Sequence, residues 1–395
     1  MTSATPLAGI KVVEFTHMVM GPAAGAVLAG LGADVVRVEP IGGDRTRRLL
    51  GSGAGYFPMY NRHKASICLD LKAPAGAAAA RDLALASDIL IENYRPGAMD
   101  RLGLGYAALA GAAPGLIYCS EKGFLPGPYE HRTALDEVAQ MMGGLAYMTG
   151  PPGQPLRAGA SVIDVTGGLF GVIGILAALE ERRRTGRGGM VTAALFETTV
   201  YLVGQHMAQF AVTGAPAAPM PARVSAWAIY DVFECADGQP LFVGVVTDAL
   251  WQKFCKLFGL DALWADESLR ENNSRVRARD RILPIVRDAL RQYPRDELIA
   301  RLEHSGLPFA PIGRPEEMFD DPHLLASGAL EPVTLSDGTA THLPTLPVAF
   351  DQGRPSETAT LPQAGAQSRD VLQRLGYDED HIAALFEAGV IEEPD

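Results

Sequence analysis

The feature that most constrains this chain is a run of twelve residues without a polar side chain, residues 168–179, which follows shortly after a single carboxylate, Asp164. A helix that spans a bilayer needs about twenty apolar residues, so the run is too short for that role. It is typical of a helix buried on all sides. The charged stretch 180–184 predicts a return to water. Gly186 predicts the end of the helix, because glycine is common just past a helix C-terminus.

Two interpretations of Asp164 are open on these residues. In the first, Asp164 or Thr166 caps the helix by accepting hydrogen bonds from its first free N–H groups. In the second, Asp164 is a nucleophile, since the partial positive charge of a helix N-terminus helps to keep a buried carboxylate ionised. Gly167 and Gly168 carry no side chain, which predicts that a ligand can approach closely. Carboxylates are recognised covalent catalysts.

Composition limits the class of protein. A chain of 395 residues is long enough for two domains, and its net charge of −12 argues against a nucleic-acid partner, because phosphate backbones are bound by basic surfaces. No membrane partner is expected, and the N-terminus lacks a basic segment followed by an apolar core, so we expect a cytoplasmic protein. The four cysteines have no C-x-x-C spacing and predict neither a zinc site nor disulfides: Cys68, Cys119, Cys235 and Cys255.

The N-terminal region predicts an α/β fold. Residues 10–15 are typical of a buried strand, residues 23–31 of a helix and residues 34–38 of a second strand. Further strands are predicted at 66–71, 88–92 and 116–120, with a helix at 75–86. This alternation indicates a parallel, doubly wound sheet, whose ligands bind at the carboxyl ends of the strands. The loop after the first strand lacks the G-x-G-x-x-G dinucleotide motif.

Basic residues are concentrated in the first quarter of this acidic chain. They form either a solvated rim or a docking site for a ligand with several phosphates, since Arg and Lys are the usual phosphate partners. The residues are Arg45, Arg47, Arg48, Arg62, Lys64, Lys72, Arg95 and Arg101.

The middle of the chain predicts a second domain. Residues 214–223 are rich in Ala and Pro and resemble a linker, and a hairpin with A-D-G as its turn follows. Three helical patterns come next, and another hairpin begins near residue 326. We therefore expect a large domain at 1–220, a small α+β domain at 221–325 and a C-terminal segment at 326–395.

Several blocks of sequence occur in a characteristic order. They are P-L-A-G-I-K-V-V-E-F-T, G-P-A-A-G-A-V-L-A-G-L-G-A-D-V-V-R-V-E-P, N-R-H-K-A-S-I-C-L-D-L-K, D-I-L-I-E-N-Y-R-P-G-A-M-D-R-L-G-L-G-Y, G-I-L-A-A-L-E-E-R-R-R-T-G-R-G and L-F-E-A-G-V-I. With these blocks the whole chain resembles the family III CoA-transferases, the CaiB/BaiF superfamily. The resemblance implies a Rossmann-like large domain built from both ends of the chain, a small domain from its middle, and a homodimer of interlocked rings.

The resemblance also implies roles for individual residues. The family's catalytic aspartate falls on Asp164, and a second acidic residue that faces it falls on Asp136, for which an ordinary helix-surface aspartate is the alternative. Coenzyme A, a substrate here and not a prosthetic group, would be bound by Met18, Leu69, Lys72, Asn93, Tyr94 and Arg101. The implied reaction moves CoA from an acyl-CoA to a carboxylic acid through an aspartyl-CoA thioester, with no metal, and with backbone N–H groups near the glycines stabilising the oxyanions.

Three positions depart from the family pattern. Pro40 stands where a basic residue is common, and Val19 stands where formyl-CoA transferase has glutamine. The stretch V-G-V-V-T-D at 243–248 has one glycine where that enzyme has a glycine-rich loop. We therefore do not expect specificity for formate and oxalate.

Two other functions compete with CoA transfer. An α-methylacyl-CoA racemase shares the fold but has a histidine immediately before the second acidic residue, where this chain has Leu135, and His131 is too far upstream. A CoA-binding protein without catalysis would not need Asp164. The acid is expected to be selected by residues 18–20, 129–136 and 223–230. Arg157 or Arg223 either holds the second carboxylate of a dicarboxylic acid or is simply exposed.

Overall fold

A computed structural model describes residues 5–223, 225–351 and 361–394. Part of the N-terminal segment and Val224, within the segment 223–230 expected to help select the acid, lie outside the described residues. The chain divides into two units, one formed by Met1–Pro221 with Pro322–Asp395 and the other by Ala222–Asp321.

The N-terminal part of the first unit alternates strands and helices. Its elements are β1 (Lys11–Phe15), α1 (Met20–Gly30), β2 (Asp34–Glu39), α2 (Tyr56–Tyr60), β3 (Lys64–Leu69), α3 (Pro74–Leu85), β4 (Ile89–Glu92), α4 (Ala98–Arg101), α5 (Tyr106–Leu109), β5 (Ile117–Lys122), α6 (Asp136–Met142), α7 (Leu145–Thr149), α8 (Val162–Thr185), β6 (Gly189–Ala194) and α9 (Leu195–Thr213). The strands are rich in Val and Ile, as is usual where both faces of a sheet are covered.

The second unit is an α+β structure with its own core. Its three strands form an antiparallel sheet in the order β7-β8-β9, against which helices pack around the buried Trp251 and Phe254. The elements are β7 (Ile229–Glu234), β8 (Pro240–Val245), α10 (Asp248–Leu257), α11 (Asp261–Ala265), α12 (Asn272–Arg277), α13 (Arg279–Leu290), α14 (Arg295–Glu303) and β9 (Phe309–Pro311).

The C-terminal segment belongs to the first unit. Its last strand pairs antiparallel with β3, where Ile391 lies opposite Leu69. The elements are α15 (Pro322–Ala326), β10 (Leu330–Thr334), β11 (Ala340–Pro344), α16 (Ser368–Arg374), α17 (Glu379–Glu387) and β12 (Ile391–Glu392).

The central sheet has the strand order β12-β3-β2-β1-β4-β5-β6. All its neighbours are parallel except β12 and β3. The order of the parallel strands is that of the doubly wound fold, in which the chain changes direction between β1 and β4. The predicted α/β class is confirmed. The loops that follow β1 and β4 meet at this point, so the crevice for a ligand is expected there.

Helix α8 contacts β5 and β6 along one face and α1 along another. Val172 and Ile175 are buried in the core that it shares with α1. A Cβ at Gly167 would lie 2.8 Å from Met20 Cε, and one at Gly168 would lie 2.7 Å from the Met20 carbonyl oxygen. These two glycines therefore let α1 approach α8. The expectation that they make room for a ligand is wrong, because the space above them is filled by α1.

The expectation that this helix is buried on all sides is also wrong. Leu169, Ile173 and Leu176 are 42%, 58% and 39% exposed. Helix α8 has 24 residues and one apolar window with a mean hydropathy of 2.1, which is enough by length and composition to cross a membrane. Core helices of soluble proteins pass the same test, and α8 packs against the edge of a sheet.

Candidate active site

Asp164 lies in the first turn of α8, as the third residue of the helix. The first four N–H groups of a helix have no partner within it, so this turn carries partial positive charge. Burial, followed by the nearby charge of Asp136, raises the pKa of Asp164 to about 7, and Arg157 opposes both. A carboxyl group with this pKa changes its charge at neutral pH, which is typical of reactive sites.

Asp136 provides the cap of α8. Its Oδ2 accepts hydrogen bonds from the backbone N–H groups of Ile163, at 2.8 Å, and Asp164, at 3.0 Å. The interpretation in which Asp164 or Thr166 caps the helix is wrong, because the Thr166 hydroxyl donates to the Val162 carbonyl oxygen at 2.6 Å. Asp136 is 6% exposed, so the interpretation as an ordinary surface aspartate is wrong as well.

Two further side chains hold Asp136 in place. Gln140, one turn along α6, donates from Nε2 to Asp136 Oδ1 and accepts from the backbone N–H of Ala158 at 2.8 Å. Arg157 places Nη2 at 3.5 Å from Asp136 Oδ1 and Nη1 at 3.1 Å from Glu137 Oε1. Gln140 was missed by the sequence analysis, although its spacing of four residues from Asp136 places both on one helix face.

The loops after β1 and β4 are joined by Asn93. Its Oδ1 accepts from the His17 N–H and its Nδ2 donates to the His17 carbonyl oxygen, both at 2.9 Å. The His17 ring stacks on Tyr94 at a centroid distance of 5.7 Å. Met18 follows with φ at +61°, a backbone conformation that is costly for a residue other than glycine. Asn93 thus holds the loop in the shape that presents Met18.

The other residues implied for coenzyme A separate into two groups. Lys72 and Arg101 are exposed near the carboxyl ends of β3 and β4, where they are available to phosphates. The side chain of Leu69 is 1% exposed within the core, so only its backbone is left for contact with a ligand.

The basic cluster of the N-terminal quarter divides in the same way. Arg47 pairs with Glu39 at 2.6 Å, Lys64 with the buried Glu14 at 2.9 Å, and Arg62 with Glu331 at 3.0 Å. These three cations belong to the interior of the unit, and a role for them in a phosphate site is not supported. Arg45 and Arg95 are exposed.

A buried ionic network lies beneath the β1 loop. The Arg37 guanidinium bonds to Glu14, Asn61 and Asp44, and also to the Thr16 carbonyl oxygen at 3.2 Å. Burial lowers the pKa of Lys64 to about 8 although Glu14 is beside it. Charged residues inside otherwise apolar strands, V-V-E-F and V-V-R-V-E, are the sequence signal for this network. It anchors the loop that carries His17 and Met18.

Glu121, near the end of β5, is also a buried acid. Neither of its carboxyl oxygens has a hydrogen-bond partner among the described residues. Gly171 of α8 lies directly above it, because a Cβ there would be 2.7 Å from Glu121 Oε1. Burial, followed by the charges of Glu14, Glu92 and Asp164, raises the pKa of Glu121 to about 8. The side chain is therefore neutral at neutral pH.

Within residues 5–223, 225–351 and 361–394, no three His, Cys, Asp or Glu side chains are placed to hold one ion. Each of the four cysteines is buried and free.

The sequence matches the family model described as CoA-transferase family III over residues 7–368. It is 32% identical over 399 residues to succinyl-CoA:glutarate CoA-transferase of Mus musculus, covering 99% of this chain and 91% of that protein. It is 33% identical over 383 residues to succinate–glutarate CoA-transferase of Agrobacterium fabrum (strain C58 / ATCC 33970), covering 94% and 96%. Among solved structures, a CaiB/BaiF family protein from Brucella suis superposes with a TM-score of 0.82 at 32% identity, covering 94% of this chain and all of that one. The resemblance seen in the sequence is thereby confirmed, and the chain belongs to CoA-transferase family III as an enzyme that uses CoA thioesters.

Proposed function

We propose that this enzyme transfers CoA to a carboxylic acid through a covalent aspartyl-CoA thioester on Asp164. The observation that carries the proposal is the position of this carboxyl group, partly buried in the first turn of α8 beside the cap formed by Asp136. Its pKa of about 7 leaves about half of the side chain ionised at neutral pH, so the nucleophile is present without a separate base.

The proposed steps conserve atoms and charge. The Asp164 carboxylate attacks the thioester carbonyl and expels CoA thiolate, leaving a mixed anhydride. The thiolate then attacks the Asp164 carbonyl carbon, which releases the free acid and leaves the aspartyl-CoA thioester. The acceptor carboxylate attacks that thioester, and the returning thiolate takes the acceptor's acyl group and frees Asp164. Burial of the site keeps water from the anhydride and the thioester.

The same proposal places CoA in the crevice between the carboxyl ends of β1 and β4. Met18 and Tyr94 lie on the two loops there, and Lys72 and Arg101 supply exposed cations nearby. Asn93 contributes by holding the His17 loop, because its amide oxygen and nitrogen are both bonded to His17. Backbone N–H groups of Gly167 and Gly168 are unsuitable for stabilising oxyanions, since these residues lie inside α8.

One of the two acids is proposed to be a dicarboxylic acid. Two relatives act on succinyl-CoA or succinate and on glutarate, as their names state. Arg157 lies beside Asp136 with a side chain one-third exposed, and can reach the second carboxylate of such an acid. Arg223, the other candidate for this role, lies in the second unit.

We also propose a homodimer in the cytoplasm. Apolar side chains on α8 and α9 stay exposed in the single chain, and a second copy would cover them. They include Ile173, Leu176, Tyr201, Met207, Phe210 and Val212. Sedimentation of the purified protein tests this proposal, and a monomer at micromolar concentration would overturn it.

The racemase alternative finds no support near Asp136. Leu135, the residue before it, is 57% exposed, and the imidazole of His131 is 82% exposed beside Glu130. No histidine among the described residues is bonded to Asp136 or Asp164, so the general base of a racemase is not in place.

The decisive experiment is an intact mass of the protein after mixing with acetyl-, succinyl-, oxalyl- or formyl-CoA, followed by peptide mapping. We expect an adduct of the mass of CoA on the peptide that contains Asp164, and none with Asp164→Asn. Asp136→Asn is the matched control, because it changes the neighbouring carboxyl group and keeps the nucleophile. If the wild type forms no adduct and instead exchanges deuterium at the α-carbon of a branched acyl-CoA, the racemase alternative holds.

A further inference from the structure

A second feature beside Asp164 takes no part in the steps above. An apolar pocket of about 220 Å³ lies between α1, the end of α2, the start of α8 and the chain after β11. Val165 and Leu169, which follow Asp164 by one and five residues, form one wall, and Ala26 and Val27 of α1 form another. All the lining residues belong to the first unit.

Tyr60 is a pocket residue that feels the charges of Asp164 and Asp136. It lines the pocket, and burial, followed by the charges of Asp164, Tyr56 and Asp136, raises its pKa. The phenol therefore stays protonated and keeps a hydrogen-bond donor. Within the described residues its hydroxyl bonds to no other group, so the donor is available to a ligand.

The charged residues of the pocket compensate one another. Glu331 forms an ion pair with Arg62, with Oε1 at 3.0 Å from Nε, and its Oε2 lies 3.0 Å from His63 Nε2, while Arg62 Nη2 donates to the Pro344 carbonyl oxygen at 2.7 Å. The charge of Arg62 is offset by Glu331, so the pair offers a second carboxylate no uncompensated charge. An uncharged hydrocarbon chain would meet mostly apolar side chains and lose its contact with water.

We propose that this pocket, here called the acyl pocket, binds the uncharged carbon chain of one acid that exchanges CoA on Asp164. The inference rests on the proposed function and adds a substrate class, a straight-chain monocarboxylic acid, as the partner of the dicarboxylic acid. A volume of about 220 Å³ admits a chain of several methylene groups. The two acids extend from Asp164 in different directions, the dicarboxylic acid toward Arg157 and the straight chain toward Ala26.

The test compares acetyl-, butyryl-, hexanoyl- and octanoyl-CoA as donors to one dicarboxylic acceptor. We expect kcat/KM of the wild type to rise about fourfold with each added methylene until the pocket is full. Ala26→Phe fills the pocket and should lower kcat/KM for hexanoyl-CoA at least about twentyfold while changing that for acetyl-CoA less than about twofold. Ala78→Phe, the same change on an exposed face of α3, is the control and should leave all donors unchanged.

A binding measurement separates this inference from the proposed reaction. Saturation-transfer NMR of free hexanoate should show contact with the wild type and with Ala78→Phe, and loss of contact with Ala26→Phe, whether or not CoA is transferred. A kcat/KM that is flat with chain length, or hexanoate contact that survives Ala26→Phe, would overturn the acyl pocket. So would a change of oligomeric state in Ala26→Phe with unchanged donor preference, because a second copy would then occupy the pocket.

Discussion

The carboxylate of Asp136 accepts a hydrogen bond from the backbone N–H of Asp164 at 3.0 Å. Asp136 therefore caps the helix that carries Asp164. The cap satisfies free N–H groups at the start of α8, and its negative charge makes the ionised form of Asp164 less favourable. Asp136 thus acts as a positioning residue that sets both the place and the pKa of the proposed nucleophile.

Replacing Asp136 by Asn separates its effect on the position of Asp164 from its effect on the pKa of Asp164. Asn keeps an oxygen that can accept from α8 but removes the charge, so the pKa of Asp164 falls and the acid limb of kcat/KM moves to lower pH. Asn ranks with Asp as a helix cap, so the free energy of unfolding should change by less than about 1 kcal/mol. The pH profile and thermal unfolding measure the two effects separately. An acid limb that stays where it is in the wild type would contradict the electrostatic role.

The wild-type rate should depend on the ionisation of Asp164. Burial raises its pKa to about 7, and only the ionised form attacks a thioester. We expect kcat/KM to be level above about pH 8 and to fall about tenfold for each pH unit well below 7. A profile of kcat/KM from pH 5 to 9, with a donor that does not titrate in this range, makes the check. A rate that stays level down to pH 5 would exclude this carboxyl group as the titrating nucleophile.

Replacing Glu121 by Gln should stabilise the protein at neutral and higher pH. The pKa of Glu121 is about 8 in the folded chain and near 4.5 in the unfolded one, so between these values only the unfolded state is ionised. Stability is therefore lost as pH rises from 4.5 to 8, at up to about 1.4 kcal/mol for each pH unit. Gln removes this loss, and we expect a melting temperature at least about 3 °C higher at pH 8 and little change at pH 4.5.

A control for that variant lies on the neighbouring strand. Glu92 accepts from Lys122 Nζ at 2.6 Å and from the Ser120 hydroxyl at 2.6 Å. Glu92→Gln leaves the Lys122 ammonium without its counter-charge and should lower the melting temperature at pH 8. At pH 8, Glu121→Gln should therefore raise the melting temperature, while the isosteric change Glu92→Gln should lower it. A lower melting temperature in both would show that Glu121 is ionised and paired in solution.

Replacing Tyr60 by Phe should slow the chemical step. The change keeps the ring in the acyl pocket wall and removes only the hydroxyl, a donor whose pKa is raised by burial and then by the charge of Asp164. Loss of one donor to a developing oxyanion typically costs a hundredfold or more, and we expect kcat to fall at least about tenfold with KM nearly unchanged. Steady-state kinetics with acetyl-CoA measure both constants. An unchanged kcat would assign Tyr60 to the pocket wall alone.

Replacing Arg157 by Gln should affect acids with two carboxylates. The guanidinium is proposed to hold the second carboxylate, so KM for succinate and glutarate should rise about tenfold while KM for acetate stays within about twofold. The pKa of Asp164 should rise as well, because Arg157 is the group that lowers it. Kinetics with the three acids, each over a range of pH, distinguish loss of binding to the second carboxylate from the change in the pKa of Asp164. An equal rise in KM for acetate would show that Arg157 acts only through the charge of the site.

Much of the sheet could be read from the sequence, because each strand is a local run of Val and Ile bounded by turns. The strand expected at 10–15 is β1 at Lys11–Phe15, and that expected at 34–38 is β2 at Asp34–Glu39. The helix expected to begin near residue 168 instead begins at Val162 and includes Asp164. Its start was misplaced because its cap is on α6, 28 residues earlier in the chain, and no local pattern reveals such a partner.

The sequence by itself determined the alternation of strands and helices, the family, and the presence of Asp136 and Asp164 as paired acidic residues, since these follow from periodicity and from motifs. Only the tertiary structure decided which groups surround them. Gly167 and Gly168 serve the packing of α1, and Asn93 holds the His17 loop. Glu121 is buried with no hydrogen-bond partner among the described residues, and the charges of Asp164 and Asp136 help to raise the pKa of Tyr60. Burial and charge at each site are sums over residues distant in the chain, so they arise only when the fold brings those residues together.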